Sequence, residues 1–151
     1  MHNLIKIPFV ESICDCFKDG SRQASCNYCI GADGRIGLCV DEQNRSRCSS
    51  SRDNDQRAVA IECTSDQTES YTMNDQVYAA LAELYVDICR RSGKKKLVWL
   101  SDRDKALSYE VKPDEMLLTV QCWFARKSCP GNWLFGKLGD LAQEVNSRLG
   151  E

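Results

Sequence analysis

The stretch from Asn74 to Arg91 is the part of the chain whose pattern most restricts the fold. Its apolar residues recur at helical spacing, and they are Val77, Leu81, Leu84 and Ile88. Asn74 is a suitable N-terminal cap and Gly93 a suitable terminator. We therefore predict an amphipathic helix, which must bury its apolar face against another element of the fold.

The segments around that helix predict strands and a second helix. The run from Leu97 to Leu100 is apolar and follows a short turn, and the run from Ala58 to Cys63 predicts a buried strand that carries one charged residue, Glu62. A C-terminal helix closed by Gly150 is predicted by Leu138, Leu141, Val145 and Leu149. We expect residues 1–151 to form one α/β domain, with a mixed central sheet flanked by helices.

The first third of the chain gives weaker patterns. Val10 to Lys18 predicts a short helix. Ser25 to Ile30 and Ile36 to Val40 are short β-prone runs separated by a glycine-rich turn, which indicates a hairpin. Glu42 to Arg57 is polar and lacks an apolar period, so we predict an irregular surface loop.

Composition excludes two classes of partner. Twenty Lys and Arg against 22 Asp and Glu give a formal net charge of -2, which provides no positive field for nucleic acid. No apolar run approaches the roughly 18 residues that span a bilayer, so we expect no membrane insertion. The N-terminus lacks a charged region followed by an apolar run, so we expect no signal peptide and a cytoplasmic location.

The chain contains 10 cysteines, and we expect them to be reduced thiols. Cys26 and Cys29 have the spacing of a zinc or redox pair. On a strand, however, residues three apart point to opposite faces, and Cys14 and Cys16 do not face each other on a helix. We therefore interpret these four as packing thiols, and a structural zinc or redox role for the other cysteines as the less favoured alternative.

Cys129 has a more distinctive context. It stands before a Pro-Gly turn and two residues after Lys127, and a nearby lysine lowers the pKa of a thiol. A cysteine that only packs under the turn fits the same spacing, so both interpretations stay open.

Five segments together resemble a known family. They are Trp123-Phe-Ala-Arg-Lys-Ser-Cys-Pro-Gly-Asn-Trp133, Ser21-Arg-Gln-Ala-Ser-Cys-Asn-Tyr28, Ile30-Gly-Ala-Asp-Gly-Arg-Ile-Gly37, Asn44-Arg-Ser46 and Arg57-Ala-Val-Ala-Ile-Glu62. In this order they resemble the zinc-dependent N-acetylmuramoyl-L-alanine amidases of type 2, which are related to peptidoglycan recognition proteins. The resemblance implies a mixed sheet with helices and a zinc site that hydrolyses the amide between N-acetylmuramic acid and L-alanine.

The resemblance also implies roles for individual residues. The family holds zinc with two histidines and a cysteine or aspartate, and Cys129 matches the third ligand while His2 matches the first. Glu62 resembles the general base, and Lys127 resembles the lysine that stabilises the oxyanion. The alternatives are an ion pair of Glu62 with Arg57, a solvated lysine at position 127 and a terminal histidine without a ligand role.

One departure weakens the implied zinc site. The second ligand histidine should stand at Gln121, and a neutral amide is a poor zinc ligand beside imidazole or thiolate. Cys122 is next to it, but neighbouring strand residues point to opposite faces. Family members also carry a central strand before the first histidine, whereas His2 follows Met1 directly. Either that strand is missing or the chain is a degenerate relative.

Two functions follow from these expectations. The first is a peptidoglycan amidase of the cell-wall lysin type, of phage or prophage origin, whose activity is impaired by the loss of a ligand. The alternative is a degenerate module of the same fold that binds peptidoglycan or muramyl peptides without hydrolysing them. In both cases we expect binding of Zn²⁺ to be weakened or lost.

Overall fold

The computed structural model describes residues 10–18 and 24–151. In these ranges the helices are α1 (Val10–Cys16), α2 (Arg52–Asp55), α3 (Asp75–Arg91), α4 (Arg103–Ser108) and α5 (Asn132–Leu149). The strands are β1 (Tyr28–Ile30), β2 (Ile36–Leu38), β3 (Ile61–Cys63), β4 (Lys96–Val98) and β5 (Glu115–Leu117), and a 3-10 turn spans Gln121–Trp123. Neither range contains a helix long and apolar enough to cross a membrane.

The strands form two hydrogen-bonded ladders. In the first, β1 lies between β2 and β3; it pairs antiparallel with β2 and parallel with β3. Its register places Cys29 beside Gly37 on one side and beside Glu62 on the other. In the second, β4 and β5 pair in parallel. The predicted hairpin and the predicted α/β class, a mixed sheet flanked by helices, are both confirmed.

Helices α3 and α5 form the main hydrophobic core. Asn74 caps α3, since its Oδ1 atom accepts a hydrogen bond of 2.9 Å from the backbone N–H of Val77. The two helices pack on each other through the apolar faces that their sequences predict. The buried residues are Val77, Leu81, Leu84 and Ile88 of α3 and Leu138, Leu141 and Val145 of α5. Both helix predictions are confirmed.

Helix α5 is also attached to β4 through one side chain. Asn146 Oδ1 accepts a hydrogen bond of 2.7 Å from the backbone N–H of Leu97, and Asn146 Nδ2 donates one of 2.9 Å to the carbonyl oxygen of the same residue. A side-chain amide thereby satisfies the backbone groups that a further strand would otherwise pair with.

Side chains on both faces of the three-stranded ladder pack against a hydrophobic core. Tyr28, Ile30, Val59 and Ile61 contact the main core, whereas Cys29 and Ala60 contact a second, smaller core. Val59 and Ala60 thus lie on opposite faces, as expected for adjacent residues of an extended segment. The short helix α1, which the sequence also predicts, covers the second core with Val10 and Ile13.

Cysteines supply much of the second core. We use the name four-cysteine cluster for Cys14, Cys26, Cys29 and Cys39, which come from α1, from the segment before β1, from β1 and from the segment after β2. Cys26 precedes β1, so strand alternation does not govern its direction, and Cys26 and Cys29 are both fully buried in this second core. The expectation that Cys26 and Cys29 point to opposite faces is therefore wrong, although among the described residues the sulfurs close enough to share an ion are those of Cys14, Cys29 and Cys39.

The polar segment from residue 42 to residue 57 is more ordered than the sequence predicts. It contains α2, whose N-terminal cap Ser51 accepts a hydrogen bond from the backbone N–H of Asn54. The buried carboxylate of Asp55 accepts hydrogen bonds from the backbone N–H and the hydroxyl of Ser49. A helix of four residues is too short to show an apolar period, so the sequence pattern does not predict α2.

Candidate functional site

The segment that carries Cys129 is held in place at both ends. Trp123, in the 3-10 turn, stacks on Trp99 with ring centroids 5.2 Å apart, and its carbonyl oxygen accepts a hydrogen bond from Arg103. The backbone N–H of Cys122 donates to the carbonyl oxygen of Cys129 at 3.0 Å, which closes the loop between them. The Cys129 thiol is thereby fixed between the turn and α5.

Gly131 explains why a glycine follows Cys129-Pro130 in this motif. Its φ of 83° lies in the left-handed region, and a Cβ atom there would stand 2.9 Å from the carbonyl oxygen of Ser70 and from the side chain of Tyr71. Any larger residue would push the loop that carries Cys129 away from the segment at residues 70–71.

Glu62 stands among several thiols. The Cys48 thiol is 3.7 Å from Glu62 Oε1 and is placed to donate a hydrogen bond to it. Burial and the negative charge of Glu62 raise the pKa of the Cys48, Cys63 and Cys129 thiols. Among the residues described, no ion pair joins Glu62 to Arg57, so the alternative interpretation of this carboxylate is not supported.

The thiol of Cys129 is not activated in the way the sequence suggests. Its proximity to Lys127 along the chain predicts a lowered pKa, but burial, followed by the charge of Glu62, raises the pKa of Cys129. Lys127 itself is exposed in the loop, and its backbone N–H donates to the carbonyl oxygen of Ala125. Of the two interpretations left open, a thiol activated by Lys127 is therefore not supported, while the role of Lys127 in stabilising an oxyanion stays a prediction.

Gln121 occupies a place between the Cys129 loop and the 42–57 segment. Its Nε2 atom donates a hydrogen bond of 2.7 Å to the backbone carbonyl oxygen of Cys48. The side chain thus contributes a contact between two loops at the position where the resemblance expects an imidazole. The neighbouring Cys122 packs against the main core, and burial raises its pKa.

The donor set around Cys129 does not by itself fit a three-ligand zinc site. Across residues 10–18 and 24–151, the His, Cys, Asp and Glu side chains that group closely enough to share an ion are Cys14, Cys29 and Cys39. Neither Glu62 nor Cys48 completes such a group with Cys129. His2, the expected first ligand, lies outside the described residues, so its role stays a prediction.

The family model for N-acetylmuramoyl-L-alanine amidases matches residues 8–132 of the chain. The chain belongs to the N-acetylmuramoyl-L-alanine amidase family. The match includes Glu62, Gln121, Lys127 and Cys129, and it begins after His2. Comparison with curated proteins and with solved structures gave no match. The family resemblance inferred from the sequence motifs is thus confirmed.

Two features of the amidase domain could not be read from the sequence. Cys48 lies in a polar loop two residues after the Asn44-Arg-Ser46 segment and has no assigned role there, yet its thiol contacts Glu62 and its carbonyl oxygen accepts from Gln121. The residues of the four-cysteine cluster come from four separate segments, so the sequence indicated it only through the spacing of Cys26 and Cys29.

Proposed function

We propose that this domain, over residues 1–151, binds muramyl peptides of peptidoglycan in the site around Cys129 and hydrolyses them poorly or not at all. Membership of the amidase family supports the class of ligand. The observation that carries the impairment is the hydrogen bond between Gln121 Nε2 and the Cys48 carbonyl oxygen, because it engages an amide where the family needs a metal ligand.

The chemistry of the donors supports impairment. Zinc in catalytic sites prefers imidazole, thiolate and carboxylate, whereas a neutral amide is a weak ligand. With Gln121 in place of a histidine, the strong donors that remain in the family pattern are His2 and Cys129. We therefore expect Zn²⁺ at this site to be weak or absent.

Other parts of the amidase site are retained in sequence, which supports binding of the same class of ligand. Glu62 stands on β3 near Cys129 in the role that we assign to a general base, and Lys127 offers a cation in the Cys129 loop. Both groups can contact polar atoms of a muramyl peptide without hydrolysis, so loss of one ligand need not abolish recognition.

The test is a titration of the purified chain with a muramyl peptide, with free stem peptide measured in parallel. We expect saturable binding and little or no release of stem peptide. In the variant Gln121→His we expect zinc uptake at this site and the appearance of hydrolysis. The matched control is Gln143→His, which adds an imidazole at an exposed position of α5 and should change neither property.

An active amidase is the second candidate. The negative charge of Glu62 acts on the Cys129 thiol, as expected for a general base next to a metal ligand. Rapid release of stem peptide by the unaltered chain would establish that function and contradict our emphasis on Gln121. Absence of binding to any muramyl peptide would contradict both candidates. Origin from a phage or prophage lysin, in the cytoplasm until release to the cell wall, stays a prediction.

A further inference from the structure

The four-cysteine cluster is separate from the motif around Cys129 and brings sulfur atoms together under α1. Cys14 Sγ lies 2.9 Å from both Cys29 Sγ and Cys39 Sγ, and the latter two are 3.4 Å apart. Cys26 is fully buried in the same small core, but its sulfur lies outside this close group of three. Cys14 is equally close to two partners, so the geometry favours a shared centre over one particular pair.

Burial makes this group of sulfurs chemically unusual. Cys26 and Cys29 are fully buried, and Cys14 and Cys39 are partly buried. Hydrogen bonds to Cys39 together with burial raise the pKa of Cys26 and Cys29, while the same hydrogen bonds lower the pKa of Cys39 to about 3. The thiolate form of cysteine is the one that binds a metal ion, so a cation at the centre of these sulfurs would favour the loss of their protons.

The lack of a side chain at Gly37 provides the space that the cluster occupies. A Cβ atom on Gly37 of β2 would stand 2.9 Å from Cys14 Sγ and 3.1 Å from Cys29 Sγ. The same atom would be 2.7 Å from the Val10 side chain, so α1 could not pack at its present distance. Gly37 therefore permits both the helix packing and the approach of the sulfurs.

Four thiolates in tetrahedral geometry are the ligand set of structural zinc sites, with Zn–S distances of about 2.3 Å. That geometry separates the sulfurs by about 3.8 Å, somewhat more than the present spacings. Cys14, Cys29 and Cys39 need to move apart by less than about 1 Å to accept the ion, and Cys26 has to approach them as the fourth ligand, which short loops and a seven-residue helix can accommodate.

We propose that the four-cysteine cluster binds one Zn²⁺ ion in a structural site that fastens α1 to the β1–β2 hairpin. Binding converts the four thiols to thiolates, releases their protons to solvent and changes no oxidation state. The site is then doubly negative, and Lys18 of the segment after α1 lies close enough to Cys14 to interact with its charge.

A structural role follows from the size of the second core. Its fully or largely buried members apart from cysteine are Val10 and Ile13, which give α1 little apolar surface to bury. A helix of seven residues is not stable alone in water. A bound metal ion supplies the missing attachment, as it does in other small cores.

The first test measures zinc on the unaltered chain purified under a thiol reductant. We expect one equivalent by elemental analysis, and native mass spectrometry should show the added zinc with the loss of thiol protons. Substitution with Co²⁺ should give the visible bands of tetrahedral thiolate coordination. Absence of metal under these conditions, or a mass that shows disulfides in place of zinc, would overturn the proposal.

Variants identify which cysteines hold the ion. Cys39→Ser and Cys29→Ser should lose the equivalent of zinc, whereas Cys89→Ser, a buried cysteine of α3, and Cys16→Ser, a neighbour on α1, should retain it. Cys129→Ser should also retain it, which separates this site from the amidase site. If Cys39→Ser fails to fold, alkylation of the unaltered chain decides: four thiols should be protected until a chelator is added, and equal reactivity with and without chelator would exclude the site.

Discussion

Gln121 and Cys48 are 73 residues apart in the chain, yet the side-chain amide of one donates a hydrogen bond of 2.7 Å to the backbone carbonyl oxygen of the other. This contact joins the loop that carries Cys129 to the ordered 42–57 segment. Gln121, the residue that we propose to stand in place of a ligand histidine, thus makes a structural contact, and its removal should be measurable in stability as well as in metal binding.

Replacement of Gln121 by glutamate tests that contact. The carboxylate cannot donate to the Cys48 carbonyl oxygen, and its charge approaches a carbonyl dipole. We expect a loss of about 1 kcal/mol in the free energy of unfolding, measured by denaturant titration. Gln143→Glu, on the exposed face of α5, is the control and should stay within about 0.5 kcal/mol of the unaltered chain.

Glu62 can be tested for its role as a base in the background of Gln121→His. If hydrolysis appears in that variant, the further change Glu62→Gln should lower kcat by about 100-fold or more while zinc uptake is kept. Equal rates with glutamate and glutamine at position 62 would show that another group takes the proton. Glu83→Gln, exposed on α3, is the control and should leave the rate unchanged.

Asn146 should be among the polar residues most costly to replace. Asn146→Ala leaves the backbone N–H and carbonyl oxygen of Leu97 without this partner, and we expect a loss of about 2 kcal/mol in the free energy of unfolding. Ser147→Ala, one position further along α5 and exposed, is the matched control. Equal midpoints of unfolding for the two variants would contradict the role assigned to Asn146.

The pH dependence of stability should report the ion pair of Glu42 with Arg91. Arg91 donates two hydrogen bonds to the Glu42 carboxylate and lowers its pKa, with a further hydrogen bond from the Tyr28 hydroxyl. A lowered pKa in the folded state means that this contribution is present above the unfolded pKa of about 4.3 and is lost as pH falls through the folded pKa.

The variant Glu42→Gln isolates that contribution. Its unfolding free energy should fall less steeply than that of the unaltered chain as the pH is lowered below about 4.3. The difference at neutral pH should be about 1 kcal/mol or less and should shrink with added salt, because Arg91 is half exposed. Parallel pH profiles for the two proteins would rule out this linkage. Glu110→Gln, exposed between α4 and β5, is the control.

The sequence predicts those helices and strands whose capping residues and apolar pattern lie within one continuous stretch of the chain. Asn74 and the apolar period after it specify α3 within one continuous stretch, and the same holds for α5. The four residues of α2 have no period, and Ser51 and Asp55 stabilise them through hydrogen bonds that composition does not reveal. Local patterns therefore predict the main core better than the polar loop.

The residues of the candidate site also differ in how well the sequence predicts them. A contiguous motif places Cys129, Lys127 and Gln121 in one region and identifies the family. The partners of these residues come from distant segments, as Cys48 does, and the direction of Cys26 depends on where β1 begins. The strand begins at Tyr28, three residues later than the predicted start at Ser25, and this difference places Cys26 in the same core as Cys29.

The pairing of Cys29 with Glu62 across β1 and β3 puts the sulfur cluster and the carboxylate on the same side of the sheet, and the aliphatic interior on the other. A shift of one residue in β3 would exchange the surroundings of Glu62 and Cys63. The Glu62 carboxylate would then lie among the aliphatic side chains of the main core, while the Cys63 thiol would take its place near Cys129. Insertions and deletions are therefore far less tolerable within these three residues than in the polar loop that precedes them.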